Sequence, residues 1–229
     1  MATSGTTAFD LDIDDIIQEA YERCAVRTNS GNDLKSARRS LNILFSEWGN
    51  RGVHLWKVAL KSQALTSGTA TYTAPSSTSD VLEAYISSSS GTTSSTTDVA
   101  LTKISRSDYA AKSNKGATGQ PSEYYVDRQT IPTVTLYQTP NASTYTYLKY
   151  YYMERIEDTG AYTNQADVAF RFIPAMVAGL AYYLSMKVNP RITQQNKMIY
   201  EDELKRALDE DGQRTSVYIT PQSYYPSGS

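Results

Sequence analysis

FRFIPAMVAGLAYYLSM, residues 170–186, is the longest apolar run of the chain and decides its architecture. Arg171 and Pro174 interrupt it, and it falls short of the roughly 20 residues that a bilayer-spanning helix needs, so it reads as a buried helix. Pro174 suits a first helical turn, where its missing N–H has no partner to lose. The helix is predicted over 175–187, with Met176, Leu180, Tyr183 and Leu184 on one side. Ala175, Ala178, Gly179 and Ala181 permit close approach elsewhere. A helix that is apolar nearly all round has to be covered on several sides, which makes it the expected central helix.

The cover is found at both ends of the chain. Ile13, Ile16, Ile17, Ala20, Tyr21 and Cys24 recur at the three-four spacing of one helical face. Asp10, Asp12, Asp14 and Asp15 sit at its start, as capping carboxylates that favour the positive helix end. After a turn at 29–32, Leu34, Ala37, Leu41, Leu44, Phe45 and Trp48 form the stripe of a second helix, ended by Gly49 to Gly52. On the C-terminal side, Asn189 and Pro190 are expected to cap and open a last helix over 190–210. Its Lys197–Glu201, Glu201–Lys205 and Asp202–Arg206 pairs are expected to face solvent. Asp167 is expected to cap the turn before Phe170.

Between the helix pairs, residues 55–152 are rich in serine, threonine and tyrosine and show short alternating stretches. Strands are predicted at 69–73, 81–86, 99–104, 124–126, 133–137 and 145–153, with 105–121 irregular. Ser87 to Thr97 holds ten serines or threonines around one glycine and reads as an exposed, mobile loop. The expected fold is α+β: a four-helix domain from N- and C-terminal helix pairs, an inserted antiparallel sheet or small sandwich, and an extended C-terminal arm. The domain reading is 1–54 for the N-terminal hairpin and 55–160 for the inserted β domain. Residues 161–211 complete the helical domain, and 212–229 form the arm. The two ends of the insertion then have to lie close together.

The 229 residues carry a net charge of −2, too even for a strongly basic nucleic-acid clamp. One cysteine, Cys24, and one histidine, His54, exclude a disulfide scaffold and any zinc site that needs several such ligands. Cys24 falls on the apolar face of the first helix and reads as inert core. His54 reads as a boundary ring and not a base. No phosphate-cradling glycine motif or catalytic set stands out, so no cofactor and no metal are expected. The start of the chain is small and polar, without the features of an export signal, and the reading predicts a soluble protein made in the cytoplasm. Against 4 phenylalanines stand 19 tyrosines, a residue suited to surfaces with one packed and one wet side.

Several ordered blocks resemble the head-to-tail adaptor (portal-to-tail connector) proteins of short-tailed bacteriophages. They are FDLDIDDIIQEAYERC at 9–24, DLKSARRSLN at 33–42, WGNRG at 48–52, SRSDY at 105–109, PSEYYVDR at 121–128 and FRFIPAMVAGLAYYL at 170–184. The resemblance implies a non-enzymatic virion protein in a twelve-copy ring between the portal and the tail tube or nozzle, around the DNA exit channel. Non-specific contact with passing duplex DNA is compatible with it. Lys35, Arg38, Arg39 and Arg51 are then expected at a subunit boundary or near the channel. Val217, Tyr218, Ile219, Tyr224 and Tyr225 would anchor the arm on the portal, and Tyr124, Tyr125, Tyr137, Tyr145 and Tyr147 would belong to a tail-facing β region. A tail-tube or nozzle subunit is the runner-up, and a virion-associated hydrolase or a DNA-binding regulator stands behind it.

Overall fold

The computed structural model describes residues 5, 9, 11–27, 31–53, 57–91 and 96–211. Two helices come first, α1 (Ile13–Arg23) and α2 (Gly31–Arg51). The strands β1 (Val58–Ala64), β2 (Thr71–Thr73), β3 (Thr78–Ser87) and β4 (Asp98–Lys103) lead to the short helix α3 (Arg106–Ala111). Then come β5 (Thr118–Gly119), β6 (Glu123–Asp127), β7 (Thr133–Tyr137), β8 (Thr139–Pro140) and β9 (Tyr147–Glu154). The chain closes with α4 (Ile173–Val188) and α5 (Thr193–Asp211), each preceded by a single 3-10 turn.

Helix α4 is the axis of the helical part and packs against α1, α2 and α5. Pro174 lies in its first turn, and Ala175 to Ala181 are buried without interruption. Gly179 is where the packing is tightest. A Cβ there would come within 2.9 Å of both Leu44 methyl carbons on α2 and of the Tyr200 ring on α5. Trp48, fully buried on α2, packs at a tilt against Phe172 with ring centroids 5.7 Å apart. Each such apolar side chain removed from water contributes about 1.5–3 kcal/mol, so the predicted stripes of both N-terminal helices are the seams of this core.

The seven-stranded sheet runs β1-β9-β3-β4-β6-β7-β2, with a separate two-stranded parallel ribbon of β5 and β8. Every pairing in the large sheet is antiparallel except β4 with β6, which makes it mixed. The sheet curls around its own core. Tyr124 on β6 donates a hydrogen bond to the Leu82 carbonyl on β3 (3.2 Å), and the Tyr72 hydroxyl on β2 meets the backbone of Thr66 just beyond β1. Leu148, Tyr150 and Tyr152 alternate into that core from β9, while Tyr151 between them is exposed. The chain leaves the helices at Lys57 and returns through 155–169. The two passages are clamped where the Lys57 ammonium lies 2.7 Å from Asp167 and 3.7 Å from Glu154. Burial pulls the Lys57 ammonium down, but Asp167, Glu154 and Glu157 outweigh it and hold its pKa above the ordinary value.

Several local expectations give way to longer-range partners. Asp12 makes no side-chain cap. The amides of Ile13 and Asp14 instead donate to the carbonyls of Asn164 and Tyr162, both at 3.0 Å, so the returning passage caps α1; Asp10 lies outside the described residues. Asn189 makes no side-chain cap bond either, and its side-chain Nδ2 donates to the Cys24 carbonyl. Asp167 accepts from the Glu157 amide and pairs with Lys57. The stretch 105–121 is not wholly irregular: Ser105 and Asp108 form a reciprocal capping box that starts α3. Strand β1 has no counterpart among the predicted strands, because VALKSQA lacks clean alternation. Ser87, the first residue of the expected loop, is buried at the end of β3; residues 92–95 lie outside the described residues.

A pair of glycine substitutions tests the packing around α4. Gly179→Ala is expected to cost about 1–3 kcal/mol in urea unfolding, because the buried Leu44 and Tyr200 side chains must shift to admit a methyl group. Gly49→Ala, on an open helical face, is expected to be neutral or to stabilise by up to about 1 kcal/mol. Equal effects at the two sites would contradict the close approach.

Candidate assembly surfaces

The four basic residues singled out on α2 have different environments. Arg51 is turned inward along the surface: its guanidinium forms two hydrogen bonds to Glu201 on α5 (2.7 and 2.8 Å), pairs with Glu47 and lies 5.5 Å over the Tyr200 ring. Beneath it the Tyr200 hydroxyl accepts from Trp48 Nε1 (2.9 Å) and donates to Glu47 (2.7 Å). This network ties α2 to α5, and burial together with the Glu47 bond raises the Tyr200 pKa strongly. Glu201 is thus committed to Arg51 and not to a solvent-facing pair along α5, whereas the Asp202–Arg206 pair forms as expected.

Arg38 Nε donates to the Thr159 carbonyl (3.0 Å), and its guanidinium lies 5.8 Å over the Tyr162 ring. Asn42, one turn on, accepts from the Thr159 amide and hydroxyl (2.9 and 2.8 Å). Arg38 therefore clasps the returning passage to α2 within its own subunit. Lys35 and Arg39 are exposed, and among the described residues neither forms an ion pair. Of the four, these two are the free charges of the helical surface.

The tyrosines assigned to the β region also separate. Tyr124 is 1% exposed, and burial pushes its pKa up to about 12. It belongs to the core, which removes it from any surface the sheet presents to a neighbour. Tyr125 stacks on Tyr109 of α3 (5.8 Å), Tyr137 lies 5.2 Å beneath the Lys112 ammonium, and its hydroxyl donates to Ser113 (3.1 Å). Both are half-covered by α3 and the turn after it. Tyr145 is half-buried against the β core, and Tyr147 is half-buried on β9. The outward apolar surface is carried instead by Leu60, which lies directly opposite Tyr151 in the β1–β9 register, with Val58 and Leu82 also exposed. An aromatic pair that sequence reading did not single out, Phe9 and Phe170, is 69% and 60% exposed, with ring centroids 6.4 Å apart.

Chemistry finds little purchase here. Cys24 is fully buried, its Sγ lies 3.3 Å from the Ala181 carbonyl, and burial raises its thiol pKa. No three metal-ligating side chains converge, and no helix is long and apolar enough to cross a membrane, among the described residues. His54, Val217, Tyr218, Ile219, Tyr224 and Tyr225 lie outside the described residues. A cleft of about 290 Å³ lies between α2 and the end of β9, lined by Asn42, Phe45, Ser46, Ser79, Glu154 and Glu157 among others.

The chain belongs to the SU10 adaptor protein family, whose sequence profile matches residues 5–223. No curated protein matched the sequence. It is a head-to-tail adaptor, a structural and non-enzymatic component of bacteriophage virions.

Removing the Tyr200 hydroxyl (Tyr200→Phe) leaves the buried Trp48 N–H without its acceptor. It is expected to destabilise the fold by about 1–3 kcal/mol in denaturant titration. The Arg51 hydrogen bonds hold the Glu201 carboxyl below its ordinary value of 4.5. Its contribution to stability is therefore full above about pH 4.5 and lost as pH falls through the lowered value. Because Glu201 is nearly half exposed, the loss should be under about 1 kcal/mol. Thermal melts at falling pH should show that part of the slope flattened in Glu201→Gln.

Proposed function

We propose that the protein forms a closed ring, in twelve copies, that joins the portal to the tail tube or nozzle around the DNA exit channel. Family membership is the observation that carries this reading. The helix pairs 1–54 and 161–211 would form the ring-building, portal-facing domain. The inserted domain 55–160 would face the tail through its outward apolar residues, with Tyr125, Tyr137 and Tyr147 at its margins. The segment 212–229 would run along the portal on Val217, Tyr218, Ile219, Tyr224 and Tyr225.

Cyclic assembly is compatible with a subunit that presents different surfaces on different sides, since a head-to-tail contact closes only when the rotation between copies does. Lys35 and Arg39, being free, are the charges available to an acidic surface of the next subunit or to phosphate near the channel. Arg38 and Arg51 reach the same boundary only by abandoning internal bonds. With a net charge of −2, the ring would let duplex DNA pass without gripping it.

Deleting residues 213–229 is expected to abolish binding to isolated portal in pull-down or calorimetry while leaving the melting temperature within a few degrees; unchanged affinity would remove the arm from the account. Charge reversal of Lys35 and Arg39 together is expected to impair ring formation in sizing and light scattering. Wild-type assembly would reduce both to solvated charges.

A further inference from the structure

We propose that in the free protein the chain's own C-terminal segment lies in the groove between α1 and α4. This goes beyond the proposed portal docking, because it assigns the same segment an earlier partner within its own subunit. The open groove, about 540 Å³, is lined by Leu11, Ile173, Pro174 and Val177, with Asp15, Glu19, Glu22 and Arg23 as its charged residues. It continues into a smaller hollow that shares Leu11 and Ile173 and reaches Phe9. The exposed Phe9–Phe170 pair thus stands at one end of a single apolar track. Two phenylalanine rings left in water beside an apolar groove mark a surface that gains from being covered.

The path of the chain identifies the occupant. Asp211 ends α5 against Arg171, and Arg171 is the neighbour of Phe170, so residues 212–229 depart from the end of the track where the two rings lie. An extended chain advances about 3.3 Å per residue, and α1 with its 11 residues is roughly 16 Å long. Val217, Tyr218 and Ile219 therefore fall within reach of the floor, with chain to spare. The segment carries Arg214 and no acidic residue, which complements a rim where three carboxylates outnumber one cation, Arg23, itself paired with Glu19. A tether this short also holds its anchors at a high effective concentration over the groove, which a second molecule lacks. The same apolar anchors cannot occupy the groove and a portal surface together, so portal binding would have to lift the segment out.

The test is proximity cross-linking in the full chain carrying Gln18→Cys on the groove rim and Thr220→Cys beside the anchors, with a short flexible bismaleimide. Cys24 is fully buried and stays unreactive. We expect a rapid cross-linked product of monomer mass, formed about tenfold more slowly when Tyr218→Ser and Ile219→Ser remove the anchors. Equal rates in the two chains would reduce the contact to random collision of a tether and overturn the proposal. A product of dimer mass would place the segment on another copy and overturn it as well. Portal binding by the uncross-linked chain is scored separately, so an arm that binds portal but not the groove overturns this inference alone.

Discussion

Residues 175–181 of helix α4 are buried on every side, and most of the structure follows from that. A helix buried all round needs neighbours on at least three sides, and here they are α1, α2 and α5. Two of the three come from the other end of the sequence. Everything between residues 52 and 169 must then leave the helical core and come back to it, and both passages must run side by side. The Lys57–Asp167 pair, Asn42 and Arg38 on Thr159, and the carbonyls of Tyr162 and Asn164 on the start of α1 all serve this one junction. The absence of a Cβ at Gly179 lets α2 and α5 close on α4 at a single level, beside the Trp48–Tyr200–Glu47 hydrogen bonds.

Much of this was legible in the sequence where the signal was periodic. Ile13 to Cys24, Ala37 to Trp48 and the apolar block at 175–184 are buried as their spacing implies, because a 3.6-residue stripe has one physical solution in water. The strand expected at 145–153, observed as β9, was legible for a similar reason. What escaped was decided by partners distant in sequence. Strand β1 owes its existence to pairing with β9 and not to its own pattern. The caps expected from Asp12, Asn189 and Asp167 lost to a carbonyl pair, a Cys24 carbonyl and a lysine more than a hundred residues away. The parallel β4–β6 pairing is a matter of topology that local residues do not encode.

Site residues were harder to read than fold, since residue type does not say which groups are already occupied. Arg38 and Arg51 look as free as Lys35 and Arg39 in the sequence, yet the first two are bound to Thr159 and Glu201. Tyr124 and Tyr125 are chain neighbours, and one is core while the other is a partly covered surface residue, simply because strand neighbours face opposite ways. The tyrosine surplus is consequently divided between packing and contact: several rings, such as Tyr150 and Tyr200, are fully interior. What remains exposed on the sheet is Leu60, Leu82, Val58 and Tyr151 more than the five tyrosines first assigned to a tail-facing region.

An adaptor is defined by its neighbours, so the most direct measurement is a cryo-electron microscopy reconstruction of the assembled head-to-tail junction. The account predicts this chain as a closed ring directly beneath the portal, with its helices toward the portal, its curled sheet toward the tail and its last residues along the portal surface. A reconstruction that places the chain within the tail tube, with the sheets forming the contacts that close the ring, would contradict it.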